Sequence, residues 1–335
     1  MARVMFRHFS IANIHTLTTK RYRLRNVLAL SALLGVGSYY WMLYFGRNKT
    51  SMNKHEVYEM VRVVPTRFLS RLWGRFTNTT FSSHFISIYA KIFKCDLRES
   101  LVSDIAKFST LSDFFSRELK PNSRPICSDH PLAAPCDGKV LNFGIVSADL
   151  TIEQIKGRKY SVASLLGCEV PHSNQDRVFY FMTLYLSPGD YHHFHSPADW
   201  RAKHAIHFPR DLLPVSPWIL KWVSNIFSKN ERVALTGEWQ WGFFSFVAVG
   251  AYNVGNIQIT FLPEIHTNTQ DLNTKEYKLD NVIQIGQEVG EFKLGSTIVL
   301  VFEAPKDFAF IVTPSTSVKC GEPIGVLMSE FNMTT

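Results

Sequence analysis

Not one aspartate or glutamate occurs in the first fifty positions of this 335-residue chain. Eight of its 36 lysines and arginines lie there, so the formal charge of +8 is confined to the front; positions 51–335 balance 28 basic against 28 acidic residues. A domain that reads nucleic-acid phosphates carries a basic excess of its own, and this balance argues against nucleic acid as a partner. Cysteine is scarce and unpaired. Cys95, Cys127, Cys136, Cys168 and Cys320 are odd in number and form no CxxC, which disfavours a disulfide framework and a zinc knuckle. Internal repeats, low-complexity tracts and the GxSxG elbow of many hydrolases are also missing. What is present, 46% hydrophobic and 13% aromatic residues, suffices for a core of one large or two small domains.

The segment 1–25 is rich in arginine and hydroxyl residues and free of acids, the composition of a mitochondrial transit peptide. From Asn26 to Gly46 no charge occurs, a length that spans a bilayer core, and Tyr39, Tyr40, Trp41 and Tyr44 gather toward one end as an interfacial belt does. One transmembrane helix is therefore expected over 26–46. The positive flank Lys20–Arg25 places the N-terminus on the more negative side. In the mitochondrial inner membrane that is the matrix, with the rest of the chain in the intermembrane space.

Residues 54–120 read as helical. Phe68, Leu69, Leu72, Trp73 and Phe76 recur at helical spacing, with Arg67, Arg71 and Arg75 as a second stripe. Such a helix either lies on anionic lipid or packs on its own domain. Beyond Pro121 come short runs of strand length, Val178–Leu186, Phe243–Val249, Ile257–Phe261 and Thr297–Phe302, interrupted by a helical stretch Pro217–Ser228. The expected class is α+β: a mainly antiparallel β domain over 121–335, membrane-proximal helices before it, and one N-terminal transmembrane helix.

Three stretches carry chemistry. Asp137 and Gly138 form an acidic turn just ahead of an apolar run. Asp190-Tyr191-His192-His193-Phe194-His195 puts three histidines in four positions after a strand, which suggests proton transfer or metal binding. Leu294-Gly295-Ser296-Thr297 opens the last long strand. In this order, with Phe114-Phe115-Ser116-Arg117, Arg124-Pro125-Ile126, Lys156-Gly157, Tyr160-Ser161, Asn230-Glu231-Arg232-Val233, Val249-Gly250-Ala251 and Val254-Gly255, the chain from about Arg62 to Val326 resembles the pyruvoyl-dependent phosphatidylserine decarboxylase family. Cys136 departs from that pattern, where a small residue such as alanine is expected.

The resemblance implies a proenzyme that cuts itself between Gly295 and Ser296. Ser296 attacks the Gly295 carbonyl, His195 takes the hydroxyl proton, and Asp137 orients and charge-stabilises that imidazole. Ser296 then becomes a covalent pyruvoyl group, the cofactor, which forms a Schiff base with phosphatidylserine; loss of CO₂ yields phosphatidylethanolamine. His192 is the expected proton donor to the substrate carbon, and His193 has no assigned role. The implied partners are phosphatidylserine, anionic membrane lipid and the chain's own small C-terminal fragment as a tight subunit; a homodimer stays open. The same Asp137, His195 and Ser296 also fit a membrane-tethered serine hydrolase, and the histidine loop fits a non-catalytic scaffold holding a metal. Self-cleavage separates these readings.

Overall fold

The computed structural model describes residues 65–155, 158–171, 176–215, 217–220, 223–252, 256–293 and 296–331. The expected transit peptide and transmembrane span, 1–25 and 26–46, lie outside the described residues. Among the described residues no helix is long and apolar enough to cross a membrane.

Helices lead, as the periodicity predicts. In α1 (Thr66–Thr77) the inward face is Thr66, Ser70, Trp73 and Thr77, a three-and-four spacing, with Phe76 also buried. Phe68, expected on the same stripe, points outward at 57% exposure. The cause is Arg67, whose guanidinium reaches the buried Glu231 at 3.0 Å and the Thr269 carbonyl at 2.8 Å, fixing the helix's rotation. After α2 (Ile86–Phe93), α3 (Leu111–Phe115) is short but closed by a capping box, with Thr110 Oγ1 accepting from Asp113 N and the Asp113 carboxylate accepting from Thr110 N.

The strands are β1 (Leu132–Ala133), β2 (Gly138–Ile145), β3 (Thr151–Ile155), β4 (Arg158–Ser161), β5 (Arg177–Tyr185), β6 (His193–His195), β7 (Trp200–Phe208) and β8 (Arg232–Trp239). They continue as β9 (Gly242–Val249), β10 (Ile257–Ile259), β11 (Lys275–Ile283), β12 (Glu288–Phe292), β13 (Thr297–Pro305), β14 (Phe308–Phe310), β15 (Ser317–Val318) and β16 (Pro323–Leu327). An eight-stranded antiparallel sheet runs β11-β7-β8-β9-β13-β5-β2-β15, and smaller sheets β10-β12-β6 and β1-β16-β14 accompany it. This is the α+β arrangement expected.

Strand β13 lies between β9 and β5, with Leu300 opposite both Phe246 and Met182. All of it but Pro305 is buried, which only covering on both sheet faces allows. Edge strand β11 instead alternates exposed and half-buried residues, as a one-sided strand must. Phe302 touches the rings of Tyr180, Trp239, Phe244 and Phe308; truncating such a residue costs about 3–5 kcal/mol.

The helical stretch expected over Pro217–Ser228 is interrupted. After a short α4 (Val162–Leu166), it appears as α5 (Pro217–Leu220) and α6 (Ile226–Lys229), divided at Asn225 in the left-handed region. The buried Gln154 side chain supplies what the break removes, donating to the Leu220 and Val223 carbonyls and accepting from Ile226 N. No local periodicity could reveal a partner so distant in sequence.

Candidate active site

Ser296 stands immediately before β13, in the sheet's most buried region. It is fully buried, its carbonyl accepts from Leu186 N at 2.9 Å, and its Oγ has no hydrogen-bond partner among the described residues. Buried hydroxyls are nearly always bonded, so an idle one marks a group kept for another purpose. Gly295, the other half of the expected cleavage site, lies outside the described residues.

Leu186 opens the segment that carries the histidines, expected as a loop but a loop only through His192, with His193 and His195 on β6, and the Ser296 carbonyl is tied to that segment's root. His192 is bonded to β12 through Phe292 N and packs its ring on Phe115 at 4.0 Å between centroids. Its Nδ1 lies 2.7 Å from the Asp190 carbonyl and must donate, since a carbonyl only accepts; Nε2 is therefore a bare lone pair, buried and without a partner. Burial pushes its pKa down to about 3, so the ring is neutral. As the structure stands, His192 must first take a proton before it can donate one.

His195 is likewise neutral, its pKa lowered by burial. Its Nδ1 donates to the Gly286 carbonyl at 3.0 Å, leaving Nε2 to accept from the Tyr191 hydroxyl at 3.2 Å. Burial raises the Tyr191 pKa and keeps that phenol protonated. Asp137, expected to orient His195, is not joined to it by a hydrogen bond. Both carboxylate oxygens are held by Arg124, at 2.7 and 2.5 Å, and Oδ1 also accepts from Cys320 N. Arg124 is shared with Glu99, which pairs Lys319. A planar guanidinium matches a carboxylate at two points, which one imidazole cannot do. Asp137 still acts on His195 through space, its charge tending to raise that pKa, and His195 N donates to the Pro135 carbonyl in the same turn. A Cβ at Gly138 would stand 2.7 Å from the Tyr185 carbonyl, so only glycine brings the acidic turn this close to the end of β5.

His193 belongs to a different arrangement. Nδ1 donates to Glu288 at 3.1 Å and Nε2 to the Ser116 carbonyl at 3.2 Å. Although burial opposes the charge, the Glu288 contact prevails and the pKa is raised. The imidazolium stacks on Tyr191 at 5.0 Å, holding the ring whose hydroxyl bonds His195. Tyr191, Arg124, Gly286 and Glu288 are participants that residue-type reasoning missed; Tyr191 and Arg124 had a signal, each lying within a stretch shared with the family.

The helical region closes the site. Tyr89 donates to the Pro188 carbonyl, and the buried Arg117 donates to the Gly189 and Asp190 carbonyls. Asp190 O thus serves both Arg117 and His192. Asn230-Glu231-Arg232, for its part, is a hub of structure. Glu231 accepts from Arg67, His207 and Asn268 N, while Arg232 donates to the carbonyls of Ser164, Leu165, Ser228 and Asn230.

Fold and site together hold the parts that enzymes of nucleophilic and acid–base chemistry use: an idle buried hydroxyl at the mouth of a core strand, a neutral imidazole in the loop before β6 (His192) and another on β6 itself (His195). The family model for phosphatidylserine decarboxylase matches residues 111–326. The mitochondrial phosphatidylserine decarboxylase proenzyme of Pongo abelii is 40% identical over 302 residues, 80% of this chain and 73% of that one. The phosphatidylserine decarboxylase proenzyme of Plasmodium falciparum is 33% identical over 91% of this chain and 89% of its own. Proenzyme 1, mitochondrial, of Saccharomyces cerevisiae is 31% identical, covering 82% and 75%. The chain belongs to the phosphatidylserine decarboxylase family, pyruvoyl-dependent enzymes made as self-cleaving proenzymes. The serine-hydrolase reading is not favoured.

Proposed function

We propose that Ser296, His195, Asp137 and His192 divide maturation and turnover between them. The observation that carries this is the buried, partnerless hydroxyl of Ser296, a residue whose carbonyl is tied to the start of the histidine segment. In maturation Ser296 Oγ adds to the Gly295 carbonyl while His195 Nε2 takes its proton, and the peptide nitrogen leaves as the amine of residue 296. The lone pair that accepts this proton is the one now bonded to Tyr191, so that hydroxyl must give way. Loss of the Cα proton then expels the Gly295 carboxylate, and the remaining dehydroalanine exchanges its nitrogen for water, releasing ammonia. Asp137, held by Arg124, keeps a negative charge near the imidazolium that forms. The idle Ser296 hydroxyl fits the pyruvoyl group that replaces it, whose carbonyl serves as electron sink for loss of CO₂. His192 takes up a proton at Nε2 and returns it to the substrate carbon.

The residue divisions follow the same reading: transit peptide 1–25, transmembrane helix 26–46, membrane-proximal helices 54–120 and decarboxylase domain 121–335. The chain is mitochondrial, as the relatives' names say of them, single-pass in the inner membrane and facing the intermembrane space. Exposed Phe68, Ile88 and Ile92 on the helices support contact with anionic lipid. Arg67 does not, being committed to Glu231.

The test is denaturing electrophoresis with mass spectrometry. Wild-type protein should yield a 40-residue fragment beginning at modified residue 296, and Ser296→Ala should stay one chain. Splitting of Ser296→Ala at this bond would refute the mechanism, and a wild-type chain that stays whole would return the hydrolase reading. For orientation, protease should reach residues 51–335 once the outer membrane alone is opened.

A further inference from the structure

Apart from the histidine segment, a cavity of about 270 Å³ lies between α1 and Lys293, the residue after β12. Its cations are Arg71, Arg75 and Lys293, and no carboxylate lines it. Among the described residues neither arginine forms an ion pair, and the Lys293 ammonium stands 3.8 Å from its nearest carboxylate, Glu291. Arg67, one turn before Arg71, is the contrast, neutralised by buried Glu231. Arg71 and Arg75, four apart on one helix, repel each other, a cost that an anion between them and Lys293 would remove.

The cavity's position indicates which anion. Lys293 is three residues from Ser296, a span of at most about 11 Å. Its backbone N is fixed to the Asn256 carbonyl, another part of the wall. Ser112, also on the wall, precedes Phe115 on α3, and Phe115 packs on His192. A phosphodiester in the cavity would thus be held by the residue three before Ser296 and by the helix whose Phe115 packs on His192. The cavity is also open below α1, since a Cβ added at Gly74 would meet nothing within 4 Å.

We propose that Arg71, Arg75 and Lys293 bind the phosphate of the substrate phospholipid, directing its serine past Lys293 to residue 296. This rests on the decarboxylase reading. The test uses the full-length chain in detergent with two substrates, dihexanoyl phosphatidylserine and O-hexyl-L-serine, which keeps the amine and carboxylate but has no phosphate. Arg71→Gln/Arg75→Gln should self-cleave normally and show a KM for the phospholipid raised about tenfold or more, with kcat within about twofold. Its turnover of O-hexyl-L-serine should equal the wild type's. Gly74→Leu, which fills the cavity without touching charge and raises helix propensity, should raise the same KM. Inorganic phosphate should compete with the phospholipid on the wild-type enzyme and leave O-hexyl-L-serine turnover unchanged. Unaltered phospholipid KM in both variants overturns the site alone, as does equal loss on both substrates. A defect confined to phosphatidylcholine vesicles containing phosphatidylserine also overturns it, because the arginines would then act on the bilayer surface. A wild-type enzyme inert toward both substrates overturns the decarboxylase reading and the site with it.

Discussion

The helical region before Pro121 and the sheet domain after it bury apolar surface to very different degrees. Strands β5, β8, β9 and β13 are buried almost residue for residue, whereas the helices leave Phe68, Ile88 and Ile92 about half exposed. The helical region attaches through polar anchors: Arg67 on Glu231, Tyr89 on the Pro188 carbonyl, Arg117 on the Gly189 and Asp190 carbonyls. Two of the three anchors grip the turn before the histidines. A Cβ on Gly189 would stand 2.2 Å from the Phe93 carbonyl, so that turn is pressed directly against the end of α2. The sheet thus supplies rigidity, and the helices supply one wall of the site and an apolar outer surface.

The sharpest test of this division is maturation, which should depend on the loop and the sheet mouth. His195→Ala and Asp137→Ala should accumulate uncut chain, with processing slowed at least a hundredfold. His192→Ala should mature and then decarboxylate slowly. Efficient processing of His195→Ala on a denaturing gel would assign the base elsewhere, and the idle Nε2 of His192 would be the first alternative.

The anchors come next. Glu231→Gln removes the buried carboxylate that pairs the half-buried Arg67 and bonds His207, and unfolding in urea should show a loss of about 3–5 kcal/mol. Hydrogen exchange in α1 should rise more than in β13. Uniform change across both regions would mean that Glu231 does not hold the helices in particular.

A smaller effect separates His193 from its neighbouring histidines. The raised pKa of His193 means that its contribution is complete below the unfolded value near 6.5 and fades as pH climbs through the higher folded one. His193→Gln should therefore cost about 1 kcal/mol at pH 6 and less at pH 9, read from thermal unfolding. His192 and His195 have the opposite sign, since their neutral forms are favoured above pH 6.5 and lose that advantage as pH falls through their lowered folded values, about 3 for His192. If His193→Gln is equally harmful at both pH values, its charge is not what holds β6 to β12.

The least stability change should follow from Phe68→Ser, Ile88→Ser and Ile92→Ser, within about 0.5 kcal/mol each because these residues already face outward. Sedimentation with anionic vesicles of a chain shortened to Lys54–Thr335 should nevertheless fall. Unchanged sedimentation would remove these residues from the lipid contact.

The sequence by itself determined the strand-rich second part and the helical first part, and it named the candidate chemical actors. Alternation, apolar runs and the succession of Asp137, the histidine loop and Ser296 are all written within short windows. What only the tertiary structure decided is which partner each actor takes. Arg124 holds Asp137, Gly286 orients His195, Glu231 draws Arg67 inward and leaves Phe68 outside, and Gln154 bridges a broken helix. Periodicity reports the face on which a side chain lies, but a hydrogen bond depends on which remote segment is packed against that face. Most of these partners are between 66 and 164 positions apart in the chain, as Gln154 with Leu220 and Arg67 with Glu231 are, beyond anything a local pattern can encode.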